Sequence, residues 1–179
     1  SQSRGLGDVY KRQILHRLRD ASGPKETVGL SDHVIEDFCN SDADLVKAIH
    51  EAEQVHRALM EEFGQDVMSL PEPELIKHLQ SDYVNFYSAA TVNPYIPIAG
   101  RGPWLVTVCG AVLHDNGGYG MLGSGHGPSS VIDAMSENWV MANVMTASFS
   151  QKRLGKRLRT EHGHTRESCP FDPFSCMNS

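Results

Sequence analysis

At 179 residues, with a hydrophobic composition of 40%, the chain is long enough for one ordinary globular domain and too short for two. The formal net charge of -6 argues against a nucleic acid or an acidic membrane as the main partner, and no apolar run reaches the ~18 residues of a membrane helix. The chain has four cysteines and no CxxC pair, which predicts reduced thiols in a cytoplasmic protein. These cysteines are Cys39, Cys109, Cys169 and Cys176.

The first stretch, SQSRGLGDVYKRQ, has no apolar period and no initiating Met. Its GDVYKRQ portion resembles the translated adapter sequence found at the ends of open reading frames assembled from environmental reads. We therefore interpret residues 1–13 as a non-native leader. The alternative is a genuine basic arm that carries Arg4, Lys11 and Arg12. Together with the abrupt end at PFDPFSCMNS, this indicates a fragment of a larger protein.

Residues 14–93 are expected to be mainly helical. A short helix is predicted over residues 32–38, and Pro71 with Pro73 opens another. The strongest pattern begins at Ser41 and Asp42, and it predicts one amphipathic helix that runs to Phe63 and ends at Gly64. Its apolar residues recur at steps of three and four, which predicts a buried side made of Leu45, Ile49, Val55, Leu59 and Phe63.

Residues 94–179 have a different composition. WLVTV and AVLHD read as two strands of a hairpin joined across Cys109 and Gly110. A glycine-rich turn, GGYGMLGSGHGP, leads to a helix predicted over residues 129–139. A further helix is predicted over residues 151–162, with Leu154 and Leu158 inward, and a last strand over residues 174–177.

Three patterns in this half suggest sites, and each has a plainer explanation. The glycine cluster matches neither GxGxxG after a long strand nor GxxxxGK[ST], so a structural turn is favoured over a phosphate site. The spacing of the possible zinc ligands His162, His164, Cys169 and Cys176 does not suit a tetrahedral ion, and we predict no metal. The basic residues of helix 151–162 lack interleaved aromatics, which favours a solvated face over nucleic-acid binding.

The order of four segments resembles the class III aminotransferases, the pyridoxal-phosphate enzymes related to acetylornithine and ornithine aminotransferases. The segments are GPWLVTVCGAVLHDNGG, GMLGSGHGPSSVIDAM, MANVMTASFSQKRLGKRL and FSCMNS. They match the family's small hairpin, its GxxGH-P turn opening a helix, a segment leading into a second helix, and a strand that ends in Asn-Ser before glycine and a hydroxyl residue. The resemblance covers somewhat under half of the chain.

The resemblance implies an α/β protein, or α+β as a fragment: the N-terminal part of a fold-type-I transferase, with a helical region, a small β-hairpin and the start of the large domain. It implies pyridoxal 5'-phosphate as cofactor, and Asn178 and Ser179 as residues that lead into the phosphate cup. No catalytic residue is expected in this chain, because the cofactor-binding lysine of the family lies beyond Ser179. Lys47, Lys77, Lys152 and Lys156 all fall in exposed helical patterns.

The same resemblance implies a function. The complete protein is expected to be a cytoplasmic homodimer that transfers an amino group from an amino donor to a keto acid, with the glycine-rich turn near the active site or the subunit interface. The donor and the acceptor stay open, as do other reaction types of the same fold. The alternative is a self-contained, non-catalytic binding module of helices and a small sheet. A zinc or nucleic-acid protein is a third hypothesis.

Overall fold

The computed structural model describes residues 2–82, 84, 86, 88, 91–116, 123–138 and 146–163, with backbone alone at residues 2–9, 159, 162 and 163. The chain divides into two compact units, Ser1–Met135 and Ser136–Ser179. Among these residues the architecture is mixed, with helices and one small antiparallel sheet of three strands. No helix in the described ranges combines the length and apolarity needed to cross a membrane.

Four helices make up most of the first half of the chain: α1 (Gln2–Ala21), α2 (Asp32–Cys39), α3 (Ala43–Met68) and α4 (Glu72–Leu79). Helices α2, α3 and α4 correspond to predicted helices, whereas α1 was not predicted as a helix. Helix α1 runs through position 13, the predicted end of a non-native leader. The second half of α1 packs on the core through Ile14, Leu15 and Leu18, all of them buried.

Helix α3 confirms the predicted start but not the whole predicted buried side. Asp42 is the N-cap, and its carboxylate accepts the backbone N–H groups of Asp44 and Leu45. Leu45 and Ile49 are fully buried. Val55 and Phe63 are 37% and 41% exposed, so their placement inside the core was wrong.

The change of burial along α3 follows from its neighbours. The first half of α3 packs between α1 and the sheet, whereas Val55, Leu59 and Phe63 line an open apolar cavity shared with α4 and the first strand. Regular helix geometry stops at the predicted end, because Gly64 has φ 78° and ψ 163°. A second, short helical stretch follows this kink and ends at Met68.

The sheet has the order β1-β2-β3, with β1 at Pro97–Arg101, β2 at Trp104–Thr107 and β3 at Val112–His114. The predicted hairpin is β2 and β3, which pair antiparallel with Val106 opposite Val112. Strand β1 was not predicted, because its one proline and its glycine are typical of a loop. Pro97 lies at the edge strand's first position, beside an irregularity in the pairing, where a missing N–H is tolerated.

One face of the sheet covers the main core. Trp104, Val106 and Val112 pack against the buried residues of α1, α2 and the first half of α3. A smaller cluster lies under the β2–β3 connection and contains Met68, Leu75, Val108 and Cys109. Both clusters belong to the unit Ser1–Met135.

Two helices follow the sheet: α5 (Ser129–Ser136) and α6 (Phe149–Gly163). Both were predicted, although α5 ends at Ser136 rather than near residue 139. Leu154 was predicted to point inward and is instead 47% exposed, because α6 has little of its own unit to pack against among the described residues. The strand predicted at 174–177 lies outside the described residues.

Candidate functional site

The residues expected nearest the cofactor, Asn178 and Ser179, lie outside the described part of the chain. So do His164, Cys169 and Cys176 of the zinc hypothesis, and the side chain of His162. Among the described residues, no group of His, Cys, Asp or Glu side chains could hold a metal ion. The structure does describe part of the turn between β3 and α5. The resemblance implies that this turn lies near an active site or a subunit interface.

The turn returns to the sheet and pairs with it through backbone. His126 and Gly102 exchange two hydrogen bonds: the His126 N–H donates to the Gly102 carbonyl at 2.7 Å, and the Gly102 N–H donates to the His126 carbonyl at 3.0 Å. Gly102 lies in the tight connection between β1 and β2. The described half of the glycine-rich segment is therefore a structural turn held against this connection, as predicted.

Glycine is required here because two backbones approach closely. A Cβ added at Gly125 would lie 2.7 Å from the Cα of Gly102, and one added at Gly127 would lie 2.9 Å from the Gly100 carbonyl oxygen. Both glycines also have positive φ, 74° and 56°. Gly123 differs, since an added Cβ there would meet no atom within 4 Å.

A histidine and an aspartate fasten the same turn through their side chains. Nε2 of His126 lies 2.9 Å from Oδ2 of Asp115, which directly follows β3. Both side chains are mostly buried. The carboxylate fixes the orientation of the imidazole ring and joins the turn to the end of the hairpin.

Arg101, at the end of β1, makes a third connection. Its Nε donates to both carboxylate oxygens of Glu51 on α3, at 2.9 and 3.0 Å, and its Nη1 donates to the carbonyl of Gly127. The hydrogen bonds that the guanidinium donates to Glu51, and then the charge of that carboxylate, raise the pKa of Arg101. One fork-shaped side chain thus ties α3, β1 and the turn together.

The arrangement positions a loop rather than completing a catalytic centre. In the described part of the chain, no serine or cysteine side chain hydrogen-bonds to His126, so the His126–Asp115 pair has no nucleophile to activate. The lysines also do not suit the formation of a Schiff base with an aldehyde. Lys11 is half-buried, and the exposed ones are Lys25, Lys47, Lys77, Lys152 and Lys156. None of them fits the aldehyde of pyridoxal phosphate, which needs a lysine in a water-excluding site.

Two carboxylates join distant parts of the chain, and one of them lies near a buried thiol. Asp42 accepts a hydrogen bond from the Trp104 indole at 2.8 Å, and this bond is the main reason that the pKa of Asp42 is lowered. Glu72 is fully buried, and its Oε2 accepts the backbone N–H groups of Glu26 and Thr27, each at 2.8 Å. Burial, and then the Glu72 charge, raises the pKa of the Cys109 thiol to about 11.

Sequence reasoning missed the residues that fix the turn. His126 was noted as part of a turn motif and Asp115 as the end of a hairpin, but nothing in a spacing of eleven residues through glycines indicates that they pair. The contact between Arg101 and Glu51 spans fifty residues and gives no local signal. Asp42 was predicted as a helix start. Its hydrogen bond from the Trp104 indole was not predicted, because the two residues are far apart in sequence.

Comparison with known proteins adds no relative. No model of a known protein family matches the chain, and no match is found among curated proteins or solved structures.

Proposed function

We propose that residues 94–179 belong to a pyridoxal-phosphate-dependent aminotransferase of class III, which transfers an amino group from an amino donor to a keto acid. The observation that carries the proposal is the ordered series of hairpin, GSGHGP turn, two helices and FSCMNS in the sequence. The β2–β3 hairpin, the turn at Gly123–Pro128, α5 and α6 occur in that order, which supports it.

The geometry of the turn supports a place for it in such an enzyme. Three independent connections hold the turn: the backbone pairing with Gly102, the His126–Asp115 contact and the Arg101 fork. A loop held this firmly can present its backbone to a ligand or to a second subunit at little entropic cost. We propose that it lies at the active site or at the interface of a homodimer.

The cofactor belongs to this proposal, although no described residue fits it. Asn178 and Ser179 are proposed to lead into the cup for its phosphate. The lysine that bonds its aldehyde must come from residues other than these 179, because every lysine of the chain lies at or near the surface. We assign no catalytic step to this chain.

The experiment uses the complete reading frame that contains this sequence. Its product, incubated with pyridoxal phosphate, is expected to develop a visible absorbance that dialysis leaves and borohydride removes. It is also expected to exchange amino groups between an amino acid and a keto acid. The 179-residue chain serves as the control and should stay colourless. A complete product that neither colours nor exchanges amino groups contradicts the proposal.

A non-catalytic binding module is the second candidate. It is favoured by the unit Ser1–Met135, which contains both apolar clusters. The two candidates differ in cofactor binding. A module should bind its ligand unchanged, with no visible absorbance in any length of product.

A further inference from the structure

One asparagine of the chain, Asn116, is followed directly by a glycine, Gly117. Asn116 lies shortly after the end of β3 at His114, and the residue is exposed. Its side-chain amide makes no hydrogen bond with any residue that the structure describes. An asparagine in this state is chemically reactive, because the next backbone nitrogen can reach its amide carbon and no contact holds the amide away.

Asn40 is an asparagine in the opposite situation. Its Nδ2 donates a hydrogen bond to the Glu36 carbonyl at 3.0 Å, which fixes the amide at the end of α2. The backbone N–H that follows, that of Ser41, donates to the Phe38 carbonyl at 3.0 Å. The structure therefore occupies both groups that would have to react with each other.

Two further asparagines have described surroundings but an unsuitable next residue. Asn93 precedes Pro94, which has no backbone N–H. Asn138 is exposed, as Asn116 is, but it precedes Trp139, whose large side chain crowds the peptide nitrogen. Glycine has no Cβ, so the nitrogen after Asn116 is uncrowded and the backbone there can adopt many conformations.

We propose that Asn116 is a site of spontaneous deamidation. The nitrogen of Gly117 attacks Cγ of Asn116, the new C–N bond closes a five-membered imide, and the Cγ–Nδ2 bond breaks. The amide nitrogen leaves as ammonia, together with the proton that the glycine nitrogen gave up. Water then opens the imide at either carbonyl, which yields aspartate or isoaspartate. The reaction consumes one water and involves no oxidation or reduction.

The modification falls directly beside the residue that fastens the turn. The backbone N–H of Asp115 donates to the Pro103 carbonyl at 2.7 Å, and its Oδ2 contacts His126. Aspartate at position 116 adds a negative charge next to the Asp115 carboxylate, and isoaspartate also adds a carbon to the backbone. Both changes disturb the end of the hairpin, so the modified chain holds its turn less firmly. This inference does not depend on aminotransferase activity.

The test is incubation of the 179-residue chain at pH 8, followed by peptide mapping by mass spectrometry. The peptide that contains residue 116 should gain the mass that separates a hydroxyl from an amide NH₂ group, and it should separate into an aspartate and an isoaspartate product. Native Asn116 should react at least about tenfold faster than Asn138, because glycine leaves the attacking nitrogen uncrowded. In guanidinium, Asn116 should react within about tenfold of its native rate, whereas Asn40 should react mainly after unfolding.

Two variants connect the modification to the turn. Asn116→Gln should block it, because a glutamine would have to close a larger ring, and should keep its unfolding temperature throughout the incubation. The parent chain should lose thermal stability as product accumulates, and Asn138→Gln, the matched control, should lose it equally. Three results overturn the proposal: similar native rates at Asn116 and Asn138, native protection of Asn116 by more than about tenfold, or a parent unfolding temperature that stays constant while the product forms.

Discussion

Single carboxylate side chains, half-buried at Asp42 and fully buried at Glu72, connect segments of this chain that are far apart in sequence. Asp42 caps α3 with one carboxylate oxygen and accepts the Trp104 indole with the other, so it joins a helix start to the sheet. Glu72 does the same for α4 and the segment at Glu26 and Thr27. Because each carboxylate has more than one partner, its loss leaves several N–H donors without their acceptor.

The Asp42 connection predicts a stability loss that depends on pH. Asp42→Ala should lower the free energy of unfolding by about 2–4 kcal/mol at pH 7, from a lost cap and an unpaired indole N–H. The pKa of Asp42 is lowered in the folded state, so its contribution is present above the unfolded pKa and disappears as the pH falls through the folded value. Denaturant unfolding at pH 7 and pH 2 measures both effects.

The same substitution at Asp37, an exposed residue of α2, is the control and should change stability by less than about 0.5 kcal/mol. An Asp42→Ala penalty that is equally large at both pH values would show that the carboxylate charge contributes nothing.

Cys109 is predicted to be unreactive in the folded protein. It is buried, and its pKa of about 11 leaves almost no thiolate at pH 8. Iodoacetamide labelling followed by mass spectrometry should modify Cys109 only after guanidinium unfolds the chain. Labelling of Cys109 in native conditions at the rate of an unfolded peptide thiol would contradict this placement.

Local sequence patterns predicted which helices and strands occur better than they predicted which of their faces are buried. The apolar period and the Asp42 cap sufficed for α3, and β-branched residues sufficed for β2. The periodicity could not show that neighbours cover only the first half of α3, which is why Val55 and Phe63 are exposed. Strand β1 could not be read from its own residues, because its pairing with β2 overrides the turn preference of proline and glycine.

The uneven burial of α3 gives a direct comparison within one helix. Ile49→Asp places a carboxylate among fully buried residues and should cost about 4 kcal/mol or more. Val55→Asp lies two turns later at a position open to solvent, and should cost about 1 kcal/mol. Chemical denaturation measures both. Equal penalties would mean that the second half of the helix is as well covered as the first.

The turn before α5 lies close to the connection between β1 and β2, and this predicts a loss of stability when a side chain is added there. Gly125→Ala should destabilise the protein by about 1–3 kcal/mol, because the new Cβ meets the Gly102 backbone and φ is positive. Gly123→Ala in the same turn meets no atom and should have an effect below about 0.5 kcal/mol. Thermal unfolding of both variants tests the seating of the turn. A neutral Gly125→Ala substitution would show that the turn does not lie against Gly102.

At the scale of the whole molecule, the sequence predicted a helical region followed by a small sheet, and described residues 14–82 and 91–116 have that order. The contacts that shape the turn come from tertiary structure. Arg101 meets Glu51, fifty residues away in sequence, only because β1 packs against α3. Patterns of three to seven residues carry no information on such contacts.

The proposed aminotransferase function requires a cofactor-binding lysine outside these 179 residues. The most direct measurement is peptide mapping by mass spectrometry of the complete reading frame's product, after incubation with pyridoxal phosphate and reduction by borohydride. We expect one pyridoxyl-modified lysine at a position outside these 179 residues, whereas the six lysines of the chain stay unmodified: Lys11, Lys25, Lys47, Lys77, Lys152 and Lys156. A specific modification on one of those six lysines, or no modified lysine at all, would contradict it.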